Sequence, residues 1–391
     1  MKLLYFVLIF LFLVLVQPVY AASELSSISE NNNNFAFNMF RELNSNKNMV
    51  FSPFSIYTAL SITSLGAGGT TKDEFDRVLN NNMSLEQFHQ SYEGILHSVS
   101  IGSEKFNIAN ALWLDDSFKP EEDFLNSATE LFNTHIENLD FKNNPKNCSE
   151  IINSWIEKNT NGLIENMQSS SSINRNTRMI ITNAIYFKGI WERSFDPKEN
   201  SELNFYVTPD KPVKTTFMQQ QGTFFYYENQ SEKLLRLDYK GDSLSLIIVL
   251  PEGNIDNFIK NLDDKEFRSD LRNMKPELLN IRIPKFKIKF GSDLVKPLSD
   301  LGLSSAFNND ADFSGITKTE GLYISEVTHQ AYIDVNETGS EAAAATSIGI
   351  ITTAYNPTPV KDFIADRPFI YAIIDNKTKT ILFLGQFVTP L

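Results

Sequence analysis

The chain begins with an almost unbroken apolar run, Leu3 to Val16, behind the base Lys2. Small residues at Val19 and Ala21 follow, the spacing a signal peptidase cuts. A membrane span needs about 20 apolar residues, and this run is shorter. We therefore expect a signal peptide over 1–21 and a secreted, soluble remainder, 22–391, with no further long apolar run. After an asparagine run, Asn31–Asn34, the spacing of Phe35, Phe37, Met39, Phe40 and Leu43 predicts an amphipathic helix. Pro53 opens a second apolar segment, Ser55–Leu65, closed by the turn-like GAGGTT. Phe106–Leu114 reads as a buried strand, Asn153–Met167 as a helix, Gln168–Asn176 as a loop and Arg178–Phe187 as a central strand. Leu244–Pro251 and Leu279–Phe290 read as strands, the latter with Ile281, Ile283, Phe286, Ile288 and Phe290 on its dry face. Phe369–Phe387 reads as a hairpin turning at Asn376. Helices fill the first third and strands the last half, without repeat, linker or strand–helix alternation. The pattern is one large α+β domain.

One stretch fits neither period. Asn336–Pro359 reads NETGSEAAAATSIGIITTAYNPTP. Its alanines favour helix, its threonines and isoleucines do not, and Pro357 and Pro359 bar a helix where the stretch ends.

Composition changes the picture in three ways. With 48 acidic against 35 basic side chains, the net charge of −13 excludes nucleic acid and anionic membrane as partners, because phosphates would be repelled. The only cysteine, Cys148, permits no disulfide within the chain. Its thiol is either buried and inert or pairs between molecules, and KNCSE reads as a polar loop. Sequons at Asn82, Asn147, Asn229 and Asn376 are glycosylation candidates, whereas a glycan on the fifth, Asn336, is not expected.

Catalytic chemistry is hard to place. The four histidines, His89, His97, His135 and His329, form no metal-ligand spacing, and there is no nucleophile elbow. Gly66, Gly68 and Gly69 lack the lysine of a phosphate loop and read as a turn. The acids Asp115–Asp116 and Glu121–Asp123 read as solvated faces. No cofactor, no metal and no enzymatic activity is expected.

Several blocks, taken together, resemble the serpins, a family of protease inhibitors. They are Asn48–Glu74, Ile181–Phe195, the run IPKFKIKF, Leu301–Ile316, Ile324–Thr346 and Phe363–Ile373, in serpin order from about Asn34 to Leu391. The resemblance implies a fold of three β-sheets with eight or nine α-helices and an exposed reactive loop, here about 337–359. A serine protease cuts the loop as bait. The cut loop inserts into the main sheet and the acyl-enzyme is trapped. It further implies a hinge at Glu337, Gly339, Ser340, Glu341, Ala342, Ala343, Ala344 and Ala345. It implies a shutter and breach, where the sheet opens, at Ser52, Pro53, Ser55, Asn183, Trp191 and His329. Counting along the loop from Glu337 as the family does puts the reactive bond at Thr353–Ala354, with Thr352 and Tyr355 as alternatives. Non-inhibitory members tend to carry a charge or proline in the hinge, and here it is clean. The helix region Met83–Ser100, which carries basic residues in heparin-regulated members, is acidic, which argues against heparin. The expected product is a monomeric inhibitor that captures its protease covalently.

The residues support such an insertion independently. Strand side chains alternate faces. The set Ser340, Ala342, Ala344, Thr346, Ile348, Ile350 and Thr352 is uncharged, so burying it strips no ion of water. Glu341 falls in the other set; a slip of one residue would bury it. No Arg or Lys lies between Ser340 and Pro359, so a trypsin-like pocket finds no partner and elastase-like or chymotrypsin-like enzymes are favoured. A carrier or chaperone, and an inhibitor of papain-like cysteine proteases, are the competing readings.

Overall fold

The computed structural model describes residues 27–390 apart from 82, 101–104, 320 and 341–359. Helix α1 (27–43) leads into β1 (Met49–Phe51), α2 (Pro53–Ser64), α3 (Gly69–Leu79) and α4 (Leu85–Ser100). Then come β2 (Lys105–Asp115), α5 (Glu122–Glu130), β3 (His135–Leu139), α6 (Pro145–Asn159) and β4 (Met179–Ile190). A run of strands follows: β5 (Ser201–Thr208), β6 (Lys211–Glu228), β7 (Glu232–Asp238) and β8 (Leu244–Pro251). Helices α7 (Ile255–Asn261) and α8 (Asp264–Asn273) precede β9 (Lys275–Pro284), β10 (Phe286–Asp293) and α9 (Val295–Asp300). The chain closes with β11 (Ile324–Asn336), β12 (Gly339–Ser340), β13 (Lys361–Ile364), β14 (Phe369–Asp375) and β15 (Ile381–Phe387).

One sheet has six strands in the order β10-β11-β12-β4-β2-β3. The other has nine, ordered β1-β15-β14-β8-β7-β6-β9-β13 with β5 on β6. Strand β6 is shared between two lobes of that larger sheet. Its residues 225–228 pair with β7, while 217–226 pair with β9. Counted by lobes, the molecule has the three sheets expected, with nine α-helices among the described residues.

Between the sheets lies α2, buried at every position, which is why it shows no polar stripe. Ser52 caps it, its Oγ accepting from Ser55 N–H at 3.2 Å, with Pro53 in the first turn where a missing N–H costs nothing. Beyond it, Gly66 and Gly315 touch. A Cβ at Gly315 would meet the Gly66 Cα at 3.0 Å, so the GAGGTT turn is a packing contact.

Several local expectations are corrected. The asparagine run does not precede α1 but lies within it, with Asn31, Asn32 and Asn33 buried. Asn33 donates to Asp264 Oδ1 at 2.7 Å and accepts from Ile381 N–H at 2.8 Å, so this polar side chain sits in the core with both ends of its amide partnered. The helix expected at Asn153–Met167 is α6, which begins at Pro145 and ends at Asn159. Cys148 is therefore on a helix, not in a loop, and is buried. Leu279–Phe290 is two strands in different sheets, broken at Lys285 directly after Pro284, which has no N–H for a ladder. The three-residue step from Ile283 to Phe286 was the readable sign of that break. The described start of the alanine stretch, Gly339–Ser340, is strand.

Candidate functional site

The site is a gap between two parallel strands. Strands β4 and β11 pair directly from Met179 with Ile324 to Tyr186 with Tyr332. Above that they part, and β12 occupies the opening, antiparallel to both. Ser340 pairs with Val335 on one side and Gly189 on the other, and Gly339 pairs with Asn336 and Ile190. Gly339 has φ +153°, and a Cβ there would lie 1.9 Å from Gly189 O, so only glycine lets the chain turn into the slot. Gly189 plays the matching part. A Cβ there would strike the rings of Phe187 and Tyr239, each at 2.6 Å.

The segment after β4 grips the hinge. Trp191 N–H donates to Thr338 O at 2.9 Å, its indole Nε1–H to Asn336 O at 2.8 Å, and Phe195 N–H to Glu337 O at 2.8 Å. Trp191 stacks on Tyr239 with centroids 4.5 Å apart, and the Tyr239 hydroxyl bonds Ser340 Oγ at 2.7 Å. Glu337 sits beside Lys285 Nζ at 2.8 Å and accepts from Asn200. Burial alone would raise its pKa; the bonds to Lys285 and Asn200 prevail and hold it below the usual carboxylate range.

Lower down, where the two strands pair directly, His329 lies opposite Asn183 and is fully buried. Its Nε2 is 3.1 Å from Ser52 N, an obligate donor, so Nε2 accepts. The proton then sits on Nδ1, which donates to Asn183 Oδ1 at 2.6 Å. Asn183 Nδ2 donates to Ser55 Oγ at 2.5 Å and to Asn110 Oδ1, and Ser52 Oγ donates to Leu382 O at 2.6 Å. Burial pushes the His329 pKa down to about 3, so the imidazole is neutral. The expected shutter residues Ser52, Ser55, Asn183 and His329 thus meet in one network, with Pro53 beside them in the first turn of α2, while Trp191 belongs to the hinge cradle above.

Sequence reasoning missed Asn110, Asn200, Tyr239 and Lys285. Asn110, a polar residue inside an apolar strand, was the one legible signal. Glu341, Ala342, Ala343, Ala344, Ala345, Thr352, Thr353, Ala354 and Tyr355 lie outside the described residues, as does Asn82. Of the other sequons, Asn147 and Asn229 are exposed. Asn376 is half-buried, with Nδ2 donating to Asp242 O at 2.9 Å. Burial, then Asp140, raises the Cys148 thiol to about 11, which favours the inert reading.

The family profile "Serpin (serine protease inhibitor)" matches residues 30–390, and this chain belongs to that family. Human Serpin B3 is 34% identical, with 94% of this chain and 100% of that one covered. Leukocyte elastase inhibitor of Xenopus tropicalis is 32% identical, with the same coverage. Among solved structures, Serpin48 of the insect Tenebrio molitor superposes with a TM-score of 0.84 at 31% identity, covering 93% of this chain and 98% of its own. Human thyroxine-binding globulin in complex with its hormone gives 0.84 at 28%, covering 94% and 99%. Serpins are generally protease inhibitors that form complexes with serine proteases, not enzymes; the family also holds non-inhibitory members and both secreted and intracellular ones. No described helix is long and apolar enough to cross a membrane.

Proposed function

We propose that this chain is a secreted suicide-substrate inhibitor of serine proteases, released from a signal peptide at 1–21. The observation that carries the reading is the pairing of Gly339 and Ser340 with both β11 and β4. Two residues of an inserted strand are already in register, and the uncharged alternate set beginning at Ser340 is next in line. Cleavage at Thr353–Ala354 frees the loop to continue down the gap. At about 3.3 Å per residue, a dozen inserted residues carry the attached enzyme about 40 Å. The absence of Arg and Lys from 340–359 points to elastase-like or chymotrypsin-like targets.

The test is incubation with elastase, chymotrypsin, trypsin and papain, followed by denaturing electrophoresis and mass spectrometry of the released peptide. A covalent complex with elastase or chymotrypsin and a cut at Thr353 are expected. Complexes formed with trypsin alone would overturn the specificity, and cleavage without any complex would favour the carrier reading that the likeness to thyroxine-binding globulin keeps open.

A further inference from the structure

Strands β6 and β7 pair only from Phe225 with Arg236 to Glu228 with Lys233. On the Thr223 side of that pairing they splay, and the segment 191–195 lies across the wedge. The cavity so formed measures about 220 Å³. Its lining is largely aromatic and aliphatic: Trp191, Phe195, Phe224 and Leu237 are buried, while Phe225 is 38% exposed. Glu192, Arg193, Arg236 and Asp238 complete the lining with Thr223 and Pro276; a concave slot with an apolar wall and converging polar groups is the usual form of a small-molecule site.

The charged groups differ in whether they are spent. Arg236 sits 4.9 Å from the Phe225 ring centroid, and its Nε is committed to Asp238 at 2.5 Å and Ser245 at 3.0 Å, so its charge is balanced. Arg193 also lines the cavity, and no carboxylate among the described residues pairs with it. Its Nη1 occupies space that Gly222 leaves open, 2.6 Å from where a Cβ would stand. Exposed Glu192 at the rim disfavours any ligand carrying more than a single negative charge.

We propose that this cavity binds an aromatic monocarboxylate, its ring against Phe225 and the apolar lining, its carboxylate on Arg193. The site is coupled to the hinge, because Trp191 and Phe195 are at once its wall and the residues that hold Thr338, Asn336 and Glu337. A ligand packed on that wall favours the gripped hinge over any state in which 336–338 has left it. Binding itself does not depend on the inhibitory reading; only the consequence for loop insertion rests on it.

The experiment uses the intact full chain without protease. It is titrated with 1-naphthoate and with neutral 1-naphthalenemethanol, followed by calorimetry and saturation-transfer NMR. One saturable naphthoate site is expected, weakened roughly tenfold or more in Arg193→Gln, the scale of one charge-assisted hydrogen bond. Gly222→Ala should weaken it similarly, since the new methyl displaces the guanidinium. Saturating naphthoate should raise the melting temperature of the wild type more than that of Arg193→Gln, whose exposed position leaves folding intact. No saturable binding, equal affinity in Arg193→Gln, or equal affinity for the alcohol would each overturn the site. A protein that binds naphthoate as described yet traps no protease would retain the site and lose only the inhibitory reading.

Discussion

The two ends of the β4–β11 gap are closed by different chemistry. At the top, closure comes from the chain's own hinge, held by main-chain bonds, an aromatic stack and an ion pair whose Lys285 side chain is 40% exposed. Of these, the Glu337–Lys285 pair borders solvent, so water can replace it at little cost. Lower down, closure comes from a parallel ladder and a neutral, wholly buried network around His329 and Asn183. No water can replace those bonds while the gap stays shut, so opening leaves buried groups unpaired unless a new strand arrives to bond them. The sheet is thus loosened at one end and latched in the middle, and a strand entering from the top must break the latch and supply its replacement.

The strongest way to break this comparison is to cut the loop. Filling the lower gap would form on the order of twenty ladder hydrogen bonds, each worth about 1 kcal/mol net at most. For a chain of this size, 10 kcal/mol corresponds to a melting rise of about 12 °C. Scanning calorimetry of intact and nicked protein should show that rise. An unchanged midpoint would mean that the loop does not enter and that the difference between the two ends has no functional meaning.

Next in size is Gly339→Val. Its Cβ would lie 1.9 Å from Gly189 O, at a φ that β-branched residues do not tolerate. The hinge should leave the slot, costing about 2–4 kcal/mol of native stability and diverting most protease encounters from complex to simple cleavage. The partition between complex and cleaved inhibitor on a gel measures it. Wild-type partitioning in this variant would show that the seated hinge is incidental.

Much of this was legible because it rests on local rules. Ser52–Pro53 announces a helix start and Gly339 a special backbone. What remained hidden depends on contacts between residues distant in the chain. Tyr239 looks like any strand tyrosine until Gly189 opens the space for its ring and Ser340 meets its hydroxyl. Lys285 lies at a strand break and gains meaning only from Glu337. The buried asparagines of α1 mimic a polar linker because their partners, Asp264 and Ile381, come from far along the chain. The shutter was placed by family resemblance; its wiring, including the tautomer of His329, came from geometry.

The latch in the middle has a pH signature of its own. His329 is held at about 3 against an ordinary value near 6.5. The unfolded chain therefore binds a proton that the folded chain refuses, and stability falls as pH drops below 6.5. The slope approaches about 1.4 kcal/mol per pH unit, so about 2 kcal/mol is gone by pH 5. Urea midpoints across pH 4.5–7.5 should show this limb in the wild type and its loss in His329→Gln, whatever that variant's baseline. An acid limb unchanged in the variant would remove His329 from the account.

The smallest effect lies outside the gap and runs the other way. Glu232, at the start of β7, is buried against Asp270 on α8, with Tyr227 and Asn229 beside it and exposed Glu266 also near. Burial first, then the Asp270 charge, raises Glu232 to about 7. Here the folded chain holds a proton that the unfolded chain releases near pH 4.5. Stability is fully present below 4.5 and is lost as pH rises through about 7. Asp270 competes for the same proton, so the loss is smaller than the whole shift implies, roughly 1 kcal/mol by pH 8. Glu232→Gln should flatten that alkaline limb and leave the acid limb of His329 intact. Since the two limbs have opposite signs and separate origins, the double variant should lose both, and the summed changes should add within about 0.5 kcal/mol. Strong non-additivity would mean that the latch in the sheet and the packing of α8 are one cooperative unit, and that the gap is not the only place where this chain stores its response.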